Sequence, residues 1–211
     1  SFEFAELTPT MPEFPEFAPG NWQISVNAGD TLGPAYRFWT VGNFTSQHAF
    51  AQPEEKRRFH SRRPYIEQVN CVRLLGGRHD QRNVFFKGVK ADGSLDCDFS
   101  DLISYLQGVL DLELIPRIVL DNVPTAMSEP GELHVYGNTQ PPKDEAVWHR
   151  YIQRTLEAMV NAFGRQRVGT WRFRVGTEPD LFPGHWSGTK EQYLRHYDAT
   201  VDAVLSVIPN A

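Results

Sequence analysis

From residue 41 onward the chain alternates between short apolar runs and longer stretches whose apolar residues recur every three or four positions, the pattern of strands separated by amphipathic helices. "VGNF" at 41–44 is the first strand. A charge-rich helical stretch starts at Pro53, is interrupted at Pro64, and gives way to a second strand, "VNCVRLLGG", at 69–77. Asp98 then caps a helix whose Phe99, Leu102, Ile103, Leu106 and Leu110 share one face. "ELIPRIVL" at 113–120 is the third strand, followed by a long loop from Asp121 to Gln140 that exceeds a mere connection and so is expected to shape a site or to lack order. Pro141 and Pro142 open the next helix. Its stripe is Trp148, Ile152, Leu156, Met159, Val160 and Phe163, and Gly164 ends it. The fourth strand is "TWRFRV" at 170–175. The last helix begins with a capping box, Thr189 with Gln192, buries Leu194, Tyr197, Val201, Val204, Leu205 and Ile208, and stops at Pro209.

The first twenty residues behave differently: their prolines and repeated phenylalanines disfavour both helix and central strand, so they read as an extended arm, with "NWQISVNAG" at 21–29 as an edge strand after it. The expected organisation is therefore an arm and edge strand over 1–40 and one α/β body over 41–211. Strand-helix repetition of this kind gives a parallel sheet with right-handed crossovers. The only glycine pair, Gly76 and Gly77, lacks the spacing of a dinucleotide-binding turn, which favours a (β/α)8 barrel over an open doubly wound sheet.

Charge and composition narrow the function classes. The net charge of −5 is spread along the chain, and the one basic cluster, Lys56, Arg57, Arg58, Arg62 and Arg63, reads as a solvated helix face, so nucleic acid is not an expected partner. No apolar run reaches the roughly 20 residues of a membrane span. A soluble chain is expected, with any leader already removed. Two cysteines, Cys71 in an apolar strand and Cys97, leave the redox compartment open. The seven histidines show no paired ligand spacing, so no metal and no cofactor are expected. The triplet Asn43, Phe44, Thr45 fits a glycosylation sequon inside a strand and carries little weight.

In a (β/α)8 barrel the chemistry sits at the C-terminal ends of the strands, where the βα loops converge. Those ends deliver Asn43; Arg73, Arg78, His79 and Asp80; Asp121 and Asn122; and Thr177, Glu178 and Asp180. The set is rich in carboxylates and poor in Ser or Cys nucleophiles, which points away from acyl transfer and toward glycoside cleavage. Glu178 is the candidate proton donor, its pKa raised by neighbours such as Trp171 and Trp186; the competing reading is a turn carboxylate that caps a helix or pairs with an arginine. Tyr136, Trp186 and Phe182 are candidate sugar platforms, or core.

The stretch from Thr139 to Ala211 resembles glycoside hydrolase family 39, a retaining (β/α)8 family of β-xylosidases and α-L-iduronidases. Pro141, Pro142, Asp144 and Trp148 match its segment before a helix. Trp171 and Phe173 match its strand, Glu178 and Pro179 its Asn-Glu-Pro motif, and Trp186, Tyr193 and Tyr197 the tryptophan and tyrosine-rich helix after that motif. "NCVRLLGG" and "DFSDLISYLQGVLDLELIPRIVLDNVP" resemble its second strand and third βα unit. The resemblance implies a retaining glycosidase acting on a carbohydrate, with Glu178 as general acid/base, Arg73 holding the nucleophile ionised, and Trp186, Thr177, Asp121, Asn122 and His79 in the sugar-binding cleft. Thr177 replaces the family's asparagine, Gly176 a usual tryptophan and Leu75 a second-strand histidine, which leaves open a non-catalytic carbohydrate-binding protein on the same scaffold. The family's nucleophile comes from the seventh strand and matches no residue here, so only about the first four βα units are expected in these residues, with the rest of the barrel supplied by further chain or a second polypeptide.

Overall fold

The computed structural model describes residues 20, 25–30, 33, 40–44, 50–75, 85–131 and 133–211, and the chain divides into two units, Ser1–Tyr36 and Arg37–Ala211. In the first unit, residues 25–30 are irregular chain closing in a turn. Asn27 Oδ1 accepts from the Gly29 amide at 3.1 Å, and the Asn27 side-chain amide donates to Asp30 at 2.8 Å. Residues 25–29 of the expected edge strand are not strand, because the Asn27-Ala28-Gly29-Asp30 run offers its backbone these local side-chain bonds instead of a ladder, and residues 21–24 lie outside the described residues. The proline-rich arm before Gly20 lies outside the described residues.

The second unit runs β1 (Val41–Phe44), α1 (Pro53–His60), β2 (Gln68–Cys71), β3 (Phe86–Val89), β4 (Leu95–Cys97), α2 (Ser100–Asp111), β5 (Ile115–Leu120), α3 (Glu145–Phe163), α4 (Arg165–Val168), β6 (Arg172–Val175) and α5 (Lys190–Val207). Strands β1, β2, β5 and β6 form one parallel sheet in that order, each followed by its helix. These are the first four βα units of a (β/α)8 barrel. β3 and β4 form a separate antiparallel hairpin inserted between β2 and α2. Strand β2 is shorter than expected, since the chain turns at 72–75, and α3 starts at Glu145, three residues past Pro142, with Asp144 Oδ1 capping Ala146 and Val147 at 2.8 and 3.2 Å.

Strand register explains which face is which. Val69, Cys71, Ile118 and Leu120 are buried and join the helices' Leu102, Leu106, Trp148 and Ile152 in one core. On the other face Asn43, Asn70, Arg117 and Arg172 are aligned across all four strands. With the helices outside, that polar row faces the barrel axis. Cys71 is an inert core thiol, pushed up to about 12 by burial.

Helix α5 departs from the expected stripe. Its buried seam against α3 is His196, Thr200, Ala203, Val204 and Val207, whereas Leu194, Tyr197 and Leu205 are exposed. The polar residues win the seam because the Trp148 indole N–H, fully buried, needs an acceptor and finds Thr200 Oγ1 at 2.8 Å.

Helix α2 rests directly on backbone. A Cβ added at Gly108 would lie 2.1 Å from the Phe50 carbonyl oxygen. Helix propensity alone favours alanine over glycine by about 1 kcal/mol, yet overpacking costs about 1–3 kcal/mol. Against immovable backbone the clash decides the sign, so Gly108→Ala is expected to lower the unfolding midpoint; a variant as stable as the parent would show that the two segments do not touch.

Candidate active site

Three strand ends meet beyond the sheet. After β2 the backbone enters the left-handed region at Arg73, with φ 63°, and after β6 it does so twice, at Gly176 (63°) and Glu178 (45°). A side-chain-bearing residue held there costs on the order of 1–3 kcal/mol and persists only where surrounding contacts impose it. The third such residue, Glu113, simply follows α2.

Those contacts converge on Asp121, at the end of β5. Its Oδ1 accepts from the Arg73 amide at 2.7 Å; its Oδ2 accepts from the Arg73 guanidinium at 3.2 Å and from the Thr177 hydroxyl at 3.0 Å. The ion pair is buried, with the two side chains 5% and 8% exposed. Burial pushes the Asp121 carboxyl up, and the Arg73 charge, the Arg73 amide and Thr177 pull it back. Every neighbour within bonding distance donates, which is the environment of an acceptor-only anion. One carboxylate thus ties together the ends of β2, β5 and β6.

The loop after β5 is ordered by a second set of bonds. Asn122 donates to the Tyr136 and Asn138 carbonyls at 3.1 and 2.7 Å, and Asn138 donates to Val123 O and Ser128 Oγ at 2.9 and 2.8 Å. This cross-bracing brings the far side of the loop back over the strand ends. With both its hydrogens spent, Asn122 is left with an Oδ1 that has no donor partner among the described residues. Arg73, Asp121, Asn122, Thr177, His185 and Trp186 all line one cavity of about 30 Å³. That is room for a water or two.

Glu178 does not itself line the cavity, although its chain neighbours Thr177 and Pro179 both do. Its side chain is 61% exposed, and Oε2 lies 3.5 Å from His185 Nδ1. The aromatic neighbours expected to desolvate it are elsewhere. Trp171 precedes β6, at the opposite end of the strand, and packs on Phe163 at 5.6 Å between ring centroids. Trp186 is buried at 7% exposure against Tyr193 and His196, its N–H donated to Thr189 O at 3.2 Å. Both are core.

The remaining sequence candidates divide. Thr177 spends its hydroxyl hydrogen on Asp121 and accepts from Arg174 at 3.0 Å. Tyr136 is half-buried, lies under the Arg73 guanidinium at 4.6 Å and meets the His185 ring edge-on at 4.6 Å; Phe182 is 71% exposed. Arg78, His79 and Asp80 lie outside the described residues. His185 is invisible to sequence reasoning, because a lone histidine in a loop carries no spacing signal; only the fold returns it to the strand end. Among the described residues no group of three or more His, Cys, Asp or Glu side chains is placed to hold a metal ion, and no helix is long and apolar enough to cross a membrane.

A half-set of parallel βα units with its polar side chains gathered at the C-terminal ends of the strands is the catalytic-face arrangement of (β/α)8 proteins. The model of Glycosyl hydrolases family 39 matches residues 22–211, and the chain belongs to that family. It is 29% identical over 190 residues to a β-xylosidase of Caldicellulosiruptor saccharolyticus, covering 88% of this chain and 38% of the relative. It is 33% identical over 159 residues to an α-1,4-L-rhamnosidase of Formosa agariphila, covering 68% and 32%. Among solved structures, the monomeric β-xylosidase of Caulobacter crescentus CB15 superposes with a TM-score of 0.71 at 20% identity, over 84% of this chain and 36% of that one. The GH39 enzyme of Xanthomonas axonopodis pv. citri gives 0.70 at 21%, over 84% and 35%. The chain thus spans about a third of the length of the proteins it matches.

Proposed function

We propose that the protein containing these residues is a retaining glycoside hydrolase in which Glu178 is the general acid/base. The observation that carries this is the position of Glu178: a solvent-open carboxyl on left-handed backbone at the C-terminal end of a barrel strand, flanked by cavity-lining residues. Glu178 protonates the glycosidic oxygen while a second carboxylate, from beyond these 211 residues, attacks the anomeric carbon. It then removes a proton from water to release the sugar with its configuration retained. The two carboxyls of such a pair stand about 5–5.5 Å apart.

Arg73, Asp121 and Thr177 hold the strand ends that carry the acid, and Asn122 Oδ1 offers its unspent acceptor to a sugar hydroxyl or to a water beneath the sugar. The remaining strands of the barrel pair with the open edge of β6, and the exposed α5 stripe of Leu194, Tyr197 and Leu205 packs against them. The names of the relatives make neutral xylosides and rhamnosides the first substrates to try. Full-length protein incubated with aryl β-D-xylosides and α-L-rhamnosides is expected to release the phenol, with NMR showing the retained anomer first. An inverted product would refute the double displacement; specific sugar binding with no turnover of any glycoside would favour the non-catalytic reading, in which Thr177 in place of asparagine has cost the activity.

A further inference from the structure

We propose that His185 is the positioning residue for Glu178, an inference that rests on the reading of Glu178 as the acid. Two successive turns bring it there. The Leu181 amide donates to Glu178 O at 3.1 Å and the His185 amide to Leu181 O at 3.0 Å, so the imidazole returns to the strand end seven residues after the carboxylate. Its side chain is 6% exposed. Nδ1 lies 2.9 Å from the Thr177 carbonyl. A carbonyl can only accept, so Nδ1 carries the hydrogen and the tautomer is fixed.

Glu178 Oε2 lies 3.5 Å from that same nitrogen, whose hydrogen is given to the Thr177 carbonyl, so the imidazole edge bounds the carboxyl by contact and partial positive charge rather than by a hydrogen bond of its own. An acid that is otherwise open to solvent has many rotamers, and general acid catalysis needs one of them. The imidazole is itself immobilised. Tyr136 meets it edge-on, Arg73 lies over Tyr136, and Asp121 joins Arg73 to Thr177, closing a circuit from Thr177 through His185 and back. A Cβ at Gly184 would sit 3.2 Å from the His134 ring, so the chain on the N-terminal side of His185 is also closely packed. The arrangement selects a carboxyl rotamer without adding an obligatory charge beside it.

The test compares two leaving groups on whichever sugar full-length protein turns over. A methyl or 4-methoxyphenyl glycoside needs a proton to depart; a 2,4-dinitrophenyl glycoside does not. His185→Phe keeps the ring against Tyr136 and removes the donor, whereas His185→Asn places an amide N–H near the Nδ1 position. For the poor leaving group, His185→Phe is expected to lower kcat by roughly tenfold to thirtyfold with KM little changed, a part of the 10²–10⁴ that general acid catalysis supplies. On the dinitrophenyl glycoside kcat/KM, which reports the first step alone and needs no proton, should stay within about threefold, and His185→Asn should recover most of the loss on the poor leaving group. If His185→Phe does not fold, His185→Asn against His185→Gln gives the same contrast, because only the asparagine amide reaches Thr177 O. Equal losses on both leaving groups, or an asparagine variant no better than its comparator, would overturn the assignment of His185 while leaving Glu178 in place. A dinitrophenyl preference absent even from Glu178→Ala would overturn both.

Discussion

Asp121→Ala is expected to cost about 3–5 kcal/mol of folding stability, the range for breaking a buried ion pair from one side. The cost comes less from the lost attraction than from the group left behind: a guanidinium 5% exposed with its carboxylate gone. Two further groups lose their acceptor in the same step, the Arg73 amide and the Thr177 hydroxyl. The left-handed turn at Arg73 then loses the amide bond to Asp121 that helps to offset its strain. Urea denaturation of full-length protein measures the loss. Asp121→Leu combined with Arg73→Met removes both charges and should be more stable than either single variant. A single variant within about 1 kcal/mol of the parent would mean that the pair is solvated and that the strand ends are not tied through it.

Much of this framework is legible in the sequence where the signal is local. "VGNF" is β1 residue for residue, and the Thr189 and Gln192 side chains make the reciprocal capping bonds of the box, at 3.2 and 2.8 Å. The β3–β4 hairpin has a readable mark that a strand-and-helix pattern passes over. Asp92 and Gly93 stand between two short alternating runs, and Gly93 adopts φ 81°. The α5 stripe fails for a different reason. Periodicity places Leu194, Tyr197 and Leu205 on one face but does not say which face meets α3, and the long-range bond from Trp148 to Thr200 decides it. The site is least legible of all. That Arg73, Asp121 and Thr177 belong at strand ends follows from the fold rule, but the contacts joining them span 48 and 56 residues, and no spacing rule reaches that far. The same holds for His185, whose meaning comes from a loop that doubles back.

Glu178→Gln is expected to reduce kcat for glycosides with poor leaving groups by about 10²–10⁴, the range that a positioned proton donor contributes. Glutamine keeps the size and the polar end of the side chain and removes only the proton. Folding should hardly respond. The side chain is 61% exposed, glutamine tolerates the same backbone, and substitutions at such surface positions usually shift stability by less than about 0.5 kcal/mol. A large loss of rate with an unchanged melting midpoint therefore separates chemistry from structure. The alanine variant adds a second discriminant: azide attacks the glycosyl-enzyme without needing a base to deprotonate it, so added azide should restore turnover of a dinitrophenyl glycoside and yield a glycosyl azide of retained configuration. Hydrolysis that survives the glutamine substitution would place the acid elsewhere, and the left-handed turn at position 178 would then be a feature of the β6 loop alone.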